Sequence, residues 1–320
     1  MASPKVIVFG PTGGVGSAAA LTAQQCGAQV VLAMRDTHKP IPGLTPEQER
    51  AGGFERVQAD LTKPETVQAA VVQTGAKRAF IYVAIGAPDH MRAAITALKA
   101  GGVEFVVILS SCSVQGQGDD LRRYTPAEFI NWQHAQVELV LEEVFGTDRF
   151  ATIRPGYFAS NFFGFKKAIA AGGTVKIPYP EAKFDYIAPE DIGRVSGTVL
   201  AGGPQAVAAA GGKHIIYLAG PQLVPQGDVL VMIGKALGKD LKVEGFADDE
   251  EAVKFLVSVQ GTPEPVAKQL VRGYKATAEG QDVFPAGTLE EAVANSEKYG
   301  RKPGTKIQDW VETNKDRFAA

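Results

Sequence analysis

The chain has few of the features that mark several protein classes. Its 320 residues include two cysteines and four histidines. Two separated cysteines exclude a disulfide framework, and the scattered histidines have no acidic partner at metal-ligand spacing, so no metal site is predicted. The formal net charge of -2 gives no general attraction to nucleic acid or to an acidic membrane surface. No apolar run approaches the roughly 18 residues of a membrane span.

The N-terminus also lacks the apolar region of a signal peptide, because a strand pattern begins within a few residues of Met1. This predicts a cytoplasmic location. Both cysteines are therefore expected to be reduced, with Cys26 as a small core residue of the first helix and Cys112 just beyond a strand, near the expected active edge.

Glycine, in contrast, is abundant, and its spacing near the N-terminus is the strongest signal in the chain. An apolar run at residues 6–9 leads into a glycine turn and then into a small-residue helix start. Such a turn presents unpaired backbone N–H groups to the pyrophosphate of a dinucleotide. The alternative is a glycine turn that only packs a helix on a sheet. The residues predicted to hold the cofactor here are Gly10, Thr12, Gly13, Gly14, Val15 and Gly16.

Strand and helix patterns alternate from residue 5 to about residue 111, which predicts an α/β fold built on a doubly wound parallel Rossmann sheet. A smaller C-terminal α+β lobe is expected to follow. The predicted boundaries are 1–155 for the NAD(P)-binding core and 156–320 for a mainly substrate or partner lobe, with segments near 184–220 returning to the core. Residues 40–55 and 202–213 are expected to be loops, and residues 263–278 a helix whose charged side faces solvent.

Five motifs in order resemble the NmrA-like family of atypical short-chain dehydrogenases/reductases. That family is named after a fungal nitrogen-metabolite-repression regulator; it also includes quinone reductases and relatives that reduce plant phenolic ethers and isoflavones. Some members bind dinucleotide without known turnover and act as redox-sensing regulators. The resemblance implies an NADP-favouring core and a cleft across the nicotinamide. The motifs are residues 10–13, 32–36, 152–162, 188–194 and 217–221.

Residues at the carboxyl ends of the strands are predicted to bind the rest of the cofactor. Arg35 and Lys39 follow the second strand and would accommodate a 2'-phosphate, which favours NADP(H) over NAD(H). The alternatives are that Asp36 faces the ribose, or that this is a solvated basic loop. Asp60 lies where the superfamily contacts the adenine, although it equally fits a helix-start carboxylate. The other predicted contacts are Leu61, Ala84, Ile85, Tyr157 and Phe158.

The helix after the fifth strand lacks the Tyr-x-x-x-Lys pair with which superfamily enzymes protonate a carbonyl. Ile130 stands at the Tyr position and His134 at the Lys position. The predicted catalytic residues are therefore His134, Ser111 and Tyr157, with His134 or a water held by Ser111 protonating the product. An aromatic wall for the substrate is predicted at Trp132, Phe158 and Phe162, with packing inside the lobe as the alternative.

Three functions follow from these features. The first is NADPH-dependent reduction of a quinone, aromatic ketone or conjugated carbonyl by hydride transfer, because quinones need little acid assistance and tolerate loss of the usual pair. The second is a non-catalytic NADP(H)-sensing regulator that binds a partner protein. The third is a lyase or isomerase acting on a phenolic or polyketide intermediate. A hydrolase is not expected, because no Gly-x-Ser-x-Gly motif occurs.

Overall fold

A seven-stranded parallel sheet forms the centre of the computed structural model, which describes residues 3–319. The strands in chain order are β1 (Lys5–Phe9), β2 (Gln29–Met34), β3 (Glu55–Gln58), β4 (Arg78–Tyr82), β5 (Phe105–Leu109), β6 (Phe150–Pro155), β7 (Thr174–Lys176), β8 (Lys183–Phe184), β9 (Ile215–Leu218), β10 (Val224–Pro225) and β11 (Lys242–Glu244). The sheet order is β3-β2-β1-β4-β5-β6-β9. The strand order reverses between β1 and β4, so the predicted doubly wound Rossmann sheet is confirmed.

Helices connect the strands and build the second lobe. The α-helices are α1 (Gly14–Gln25), α2 (Pro46–Ala51), α3 (Pro64–Thr74), α4 (Arg92–Gly101), α5 (Phe129–Phe145), α6 (Lys166–Ala171), α7 (Pro189–Gly202), α8 (Pro204–Ala209), α9 (Gln226–Ala236), α10 (Asp249–Ser258), α11 (Glu264–Ala278), α12 (Leu289–Gly300), α13 (Ile307–Asn314) and α14 (Asp316–Ala319). No helix within residues 3–319 is both long and apolar enough to cross a lipid bilayer.

Both faces of the sheet are buried around its central strands, which explains the nearly continuous apolar runs of β1, β2 and β5. Val6 and Val8 of β1 belong to the core layer under α1 and α7, whereas Ile7 belongs to the opposite layer under α3, α4 and α5. A third apolar cluster, centred on Phe165, Phe184 and α9, forms the core of the C-terminal lobe. The short pairs β7–β11 and β8–β10 lie in this lobe.

Two glycines of α7 allow this helix to lie directly against α1. A Cβ atom on Gly193 would lie 2.4 Å from Cβ of Ala18, and one on Gly197 would lie 2.4 Å from the backbone oxygen of Ala19. Pro189, at the start of α7, lies 3.2 Å from the position of a Cβ atom on Gly14. The close approach therefore fixes the start of α1, where the glycine turn ends.

Three local predictions were wrong. Residues 46–51 form α2 instead of a loop, because Thr45 and Gln48 make a capping box and Pro46 occupies the first turn. Residues 204–209 form α8 within the other predicted loop. Cys26 is exposed, not part of the core, because it ends α1 instead of facing the sheet.

Candidate functional site

The glycine turn has the geometry that close packing of α1 on β1 requires. Gly10 has a φ of +71°, and the N–H of Gly13 donates to the Gly10 carbonyl oxygen at 3.1 Å. A Cβ atom on Gly16 would lie 2.2 Å from that same carbonyl oxygen. Only glycine fits at residue 16, since a backbone atom cannot move aside as a side chain would.

The N-terminus of α1 is open to a ligand. Gly13 is its N-cap, and within the described chain no side chain caps this end and the first turn carries no acidic residue. Thr12, Gly13 and Gly14 are exposed, whereas Val15 is buried. The first-turn N–H groups have no partner inside their own helix, and the positive end of the helix dipole lies beside them. This end of the helix therefore fits a pyrophosphate.

Arg35, Asp36 and Lys39 are all exposed beyond β2. The Asp36 carboxylate accepts the backbone N–H of His38 at 3.0 Å, and this hydrogen bond lowers the pKa of Asp36. The backbone oxygen of Arg35 accepts from Gln58 at 3.0 Å, which anchors its main chain and leaves the side chain in solvent. Asp36 thus already stabilises the turn, whereas the exposed side chains of Arg35 and Lys39 make no hydrogen bond within residues 3–319 and could approach a ribose phosphate.

Asp60 also stabilises its own turn. One of its carboxylate oxygens accepts the backbone N–H and the hydroxyl of Thr62, at 2.9 and 2.8 Å, and the backbone hydrogen bond lowers its pKa. Leu61 is buried and Ile85 is 52% exposed. The N–H of the half-buried Ala84 lies 3.2 Å from Sδ of Met91.

A cavity of about 580 Å³ lies at the carboxyl ends of β5 and β6. It is enclosed by the segments that follow these strands, by the first turn of α5 and by one face of α11. Its lining includes Ser111, Ser113, Ile130, Asn131, Gly156, Tyr157, Phe184, Gln269, Gly273 and Tyr274. A larger cavity of about 960 Å³ lies beside the edge strand β9, among residues such as Asp148 and His214 that precede β6 and β9. The smaller of the two lies at the carboxyl edge where α/β sheets bind ligands, beside Ser111 and Gly156, whereas the larger also reaches Gly116 and Tyr217.

Helix α11 is joined to α5 by a pair of amide side chains. Gln269 accepts the N–H of Ile130 at 2.7 Å and donates to the side-chain oxygen of Asn131 at 2.6 Å. Arg272 adds a hydrogen bond to the carbonyl oxygen of Ala127 at 3.1 Å. Helix α11 is thus held against the helix that carries the Ile130 and His134 positions.

Two tyrosines meet at this cavity. The hydroxyls of Tyr157 and Tyr274 share a hydrogen bond at 2.5 Å, and burial raises the pKa of both phenols. The Tyr157 ring lies 4.7 Å from the Phe184 ring, centroid to centroid. In such a pair one hydroxyl donates to the other, which leaves the second proton able to donate to a ligand. Nothing in the sequence pattern around Tyr274 indicated this contact.

A buried carboxylate positions the backbone of Tyr157. Asp185 accepts the N–H of Tyr157 at 3.1 Å and the N–H of Gly220 at 3.0 Å. Burial raises the pKa of Asp185 to about 6. Its carboxylate also accounts for Gly156, where a Cβ atom would lie 2.2 Å from Oδ2 of Asp185.

His134 does not line the cavity. Its burial, together with the nearby Arg154 charge, lowers its pKa to about 4, so the imidazole is neutral at pH 7. A neutral imidazole of such low basicity is a poor proton donor, which argues against the predicted role of His134 as the acid. Ser111 does reach the cavity, and its hydroxyl is 2.9 Å from that of Ser113. The neighbouring Cys112 is buried, which raises the pKa of its thiol and makes it a weak nucleophile.

None of the three residues of the predicted aromatic wall lines the cavity. Trp132 lies edge-on to His90, 4.7 Å between centroids, and packs with a separate cluster around Leu121. Phe162 is 2% exposed, with its ring 5.1 Å from that of Tyr186. Both pack against neighbouring side chains away from the cavity, so their role as substrate contacts stays a prediction. Phe158 is half-buried against the main core and pairs its backbone with Ile187.

A buried ion pair joins α5 to β6. Nε and Nη2 of Arg154 donate to the Glu138 carboxylate at 3.1 and 2.6 Å, and Ser110 donates to the same carboxylate at 2.5 Å. Nη1 donates to the hydroxyl of Tyr217 at 2.8 Å and to the carbonyl oxygen of Gly116 at 2.9 Å. The described residues contain no cluster of three or more His, Cys, Asp or Glu side chains able to hold a metal ion.

Comparison with known proteins extends these observations. The chain is 36% identical over 324 residues to a nitrogen metabolite regulation-like protein, bik4, of Gibberella fujikuroi, which covers 98% of this chain and 97% of that protein. Among solved structures it is similar to the NADPH-dependent quinone oxidoreductase QOR2 of Escherichia coli, with a TM-score of 0.68, 19% identity and coverage of 97% of this chain and 98% of that chain.

A negative transcriptional regulator, NmrA, gives a TM-score of 0.65 at 14% identity, with coverage of 97% of this chain and 95% of that chain. At these identities the two structural likenesses describe the fold alone. The sequence match is more specific, because the model of the NmrA-like family matches residues 2–303. The protein therefore belongs to the NmrA-like family, as its five motifs predicted.

Proposed function

We propose that the protein is an NADPH-dependent oxidoreductase that reduces a flat conjugated carbonyl compound, such as a quinone or an aromatic ketone. The observation that carries the proposal is the cavity beside Ser111, Gly156 and Tyr157, at the sheet edge where the glycine turn opens. The QOR2 relative in fold is also described in complex with NADPH. A pocket with mixed apolar and hydrogen-bonding walls suits a small aromatic substrate.

The cofactor would lie along the carboxyl edge of the sheet, with its phosphates at the start of α1 and its nicotinamide beside Ser111. The N–H groups at the start of α1 hold the pyrophosphate, and Arg35, with Lys39 nearby, attracts the 2'-phosphate of NADP(H) in preference to NAD(H). When bound, the nicotinamide supplies a hydride. Ser111 and the Gly156–Tyr157 segment border the space in which the acceptor lies.

The phenol pair supplies the proton in this proposal. A quinone that takes up one hydride and one proton becomes a hydroquinone. The second hydroxyl of the Tyr157–Tyr274 pair donates a hydrogen bond to the quinone oxygen, and solvent replaces the proton after transfer. Burial raises the pKa of both phenols, so the pair acts as a donor and not as a phenolate base.

The regulator function has one specific observation in its favour, which is the name of the 36% identical relative, a nitrogen metabolite regulation-like protein. A regulator would bind NADP(H) through the same glycine turn and Arg35, and pass the occupancy on to a partner protein. It would not require an open cavity with hydroxyl donors, which is why we place reduction first.

The test is the loss of NADPH absorbance with purified protein and a panel of quinones and aromatic ketones, paired with calorimetric titration of NADPH. We expect NADPH to bind and at least one quinone to be reduced. Tight NADPH binding without consumption by any compound would contradict the reductase proposal and favour the regulator.

A matched pair of variants checks that the glycine turn is the site. A Cβ atom on Gly13 finds its nearest heavy neighbour at 3.6 Å, so the Cβ atom that Gly13→Ala and Gly13→Asp both add fits without displacing backbone. The carboxylate of Gly13→Asp would repel the pyrophosphate, and we expect a loss of NADPH affinity of at least 100-fold. Gly13→Ala is expected to bind within about 10-fold of the natural protein. Equal affinity in all three proteins would remove the turn from the proposal.

A further inference from the structure

Residue 273 of the cavity wall is a glycine, although neither its backbone conformation nor its packing requires one. It lies in the interior of α11 and lines the cavity. Among the glycines of residues 3–319, it alone combines a φ outside the left-handed region with open space on its side-chain side, since a Cβ atom there would meet no heavy atom within 4 Å. Neither backbone conformation nor packing therefore requires glycine at this position.

A glycine inside a helix is unfavourable, because glycine loses more conformational entropy on folding than alanine does. Alanine would be tolerated at this position, since its Cβ atom would meet no heavy atom within 4 Å. The other cavity glycine, Gly156, has a clear reason, since the Asp185 carboxylate occupies the place of its side chain. At Gly273 the corresponding place is open space, on an exposed residue that borders the cavity. A ligand that enters the cavity would give glycine a role at this position.

The neighbours of Gly273 give this space a shape. Gln269 precedes it by one turn and is already hydrogen-bonded to Ile130 and Asn131, so that amide closes one end. Tyr274 follows it, with its hydroxyl on that of Tyr157. The bare stretch of helix backbone between them is bordered by hydrogen-bond donors, and it has no side chain that a flat ligand would have to displace.

We propose that Gly273 is the seat of a fused aromatic ring system, whose face lies on the backbone of α11 while its carbonyl oxygen accepts from the Tyr157–Tyr274 pair. This rests on the proposed reductase function and narrows its substrate class to planar compounds of two or more fused rings. A single substituted ring reaches the phenols without using the space over Gly273.

The experiment compares Gly273→Ala and Gly273→Leu with the natural protein. The substrates are 9,10-phenanthrenequinone, which has three fused rings, and tetramethyl-1,4-benzoquinone, which has one. For Gly273→Ala we expect kcat/KM for phenanthrenequinone to fall about 10-fold and that for the one-ring quinone to change less than 3-fold, with a larger loss in Gly273→Leu. NADPH affinity is expected to stay the same.

Stability provides the second readout, because alanine favours the helix and should raise the melting temperature of Gly273→Ala by about 2 °C. A variant that is more stable yet poorer only for the large quinone cannot be explained by misfolding. Lys268→Ala is the control, since Lys268 lies on α11 outside this cavity and pairs with Glu264. Equal losses for both quinones, or none, would overturn the seat.

Failure of the proposed function can be separated from failure of the seat. Calorimetric titration of phenanthrenequinone into the NADP+-loaded protein measures the seat without turnover. Binding that weakens about 10-fold in Gly273→Ala supports the seat even if no quinone consumes NADPH. The absence of phenanthrenequinone binding to the natural protein would overturn the seat, whatever happens to NADPH.

Discussion

Asp185 should make the folded protein less stable as the pH rises from 4 to 7. The carboxylate is 2% exposed, and burial raises its pKa from 3.8 to about 6. The folded state thus holds this proton at a pH where the unfolded chain has released it. Stability from Asp185 is fully present below pH 3.8 and is lost as the pH rises through 6.

The size of the effect follows from the difference between the two pKa values. Each unit corresponds to about 1.4 kcal/mol, so the full effect is about 3 kcal/mol. About 2 kcal/mol of it is lost between pH 4 and pH 7, because Asp185 of the unfolded chain is still partly protonated at pH 4. The slope is about 1 kcal/mol per pH unit near pH 5. The hydrogen bonds from Tyr157 and Gly220 lower the pKa and limit the rise.

Urea unfolding of the natural protein and Asp185→Asn, at half-unit steps from pH 4 to pH 8, measures this contribution. Every other titrating group is common to both proteins, so the difference between the two curves isolates Asp185. The amide also replaces one acceptor by a donor facing a backbone N–H, which adds a destabilisation that does not depend on pH. We expect the difference to change by about 2 kcal/mol across the range and to level off above pH 7.

Asp60→Asn is the matched control, because Thr62 lowers the pKa of Asp60 and places its titration below this pH range. Its difference curve is expected to be flat from pH 4.5 to pH 8. A flat curve for Asp185→Asn as well would refute the reasoning, since it would mean that burial does not hold the Asp185 proton.

Three further predictions concern other parts of the molecule. Arg154→Met leaves Glu138 buried without its counter-charge and should lower the free energy of unfolding by about 3–5 kcal/mol in urea, with a smaller loss when Glu138→Leu is added; a loss below 1 kcal/mol for the single variant would contradict this. Gly193→Ala forces a Cβ atom to within 2.4 Å of Ala18 and should cost about 1–3 kcal/mol, seen as a lower melting temperature, whereas an unchanged melting temperature would show that α1 and α7 separate freely. Arg35→Glu should abolish preference for NADPH over NADH in calorimetry, and an unaltered preference would remove Arg35 from the site.

Sequence patterns predicted the sheet well because its strands are buried on both faces. Strands β2, β5 and β6 have the bounds that their apolar runs indicated, since nothing but a central strand suits such short runs between turn residues. Helix α2 was missed although its signal was present. Thr45 and Gln48 form a capping box with Pro46 in the first turn, but the surrounding prolines and glycines favoured a loop.

The buried ion pair could not be predicted, because neither partner has a local signature. Arg154 lies in a strand between apolar residues, and Glu138 lies 16 residues earlier on α5. Their pairing depends on how α5 lies over β6, which is a tertiary contact. His134 shows the same limit. Its alignment with the superfamily lysine is visible in the sequence, but the burial that lowers its pKa to about 4 is not.

Helix α11 forms one wall of the cavity, and the sequence pattern did not indicate this contact. Helix α11 shows charged residues such as Lys268 on one side and was expected to face solvent there, yet its other side holds Gln269, Gly273 and Tyr274 against the cavity. Gln269 contacts a residue 139 positions earlier in the chain. The glycine turn would serve a regulator and a reductase equally, whereas an open cavity between α11 and the hydroxyls of Ser111 and Tyr157 suits a reductase of flat substrates.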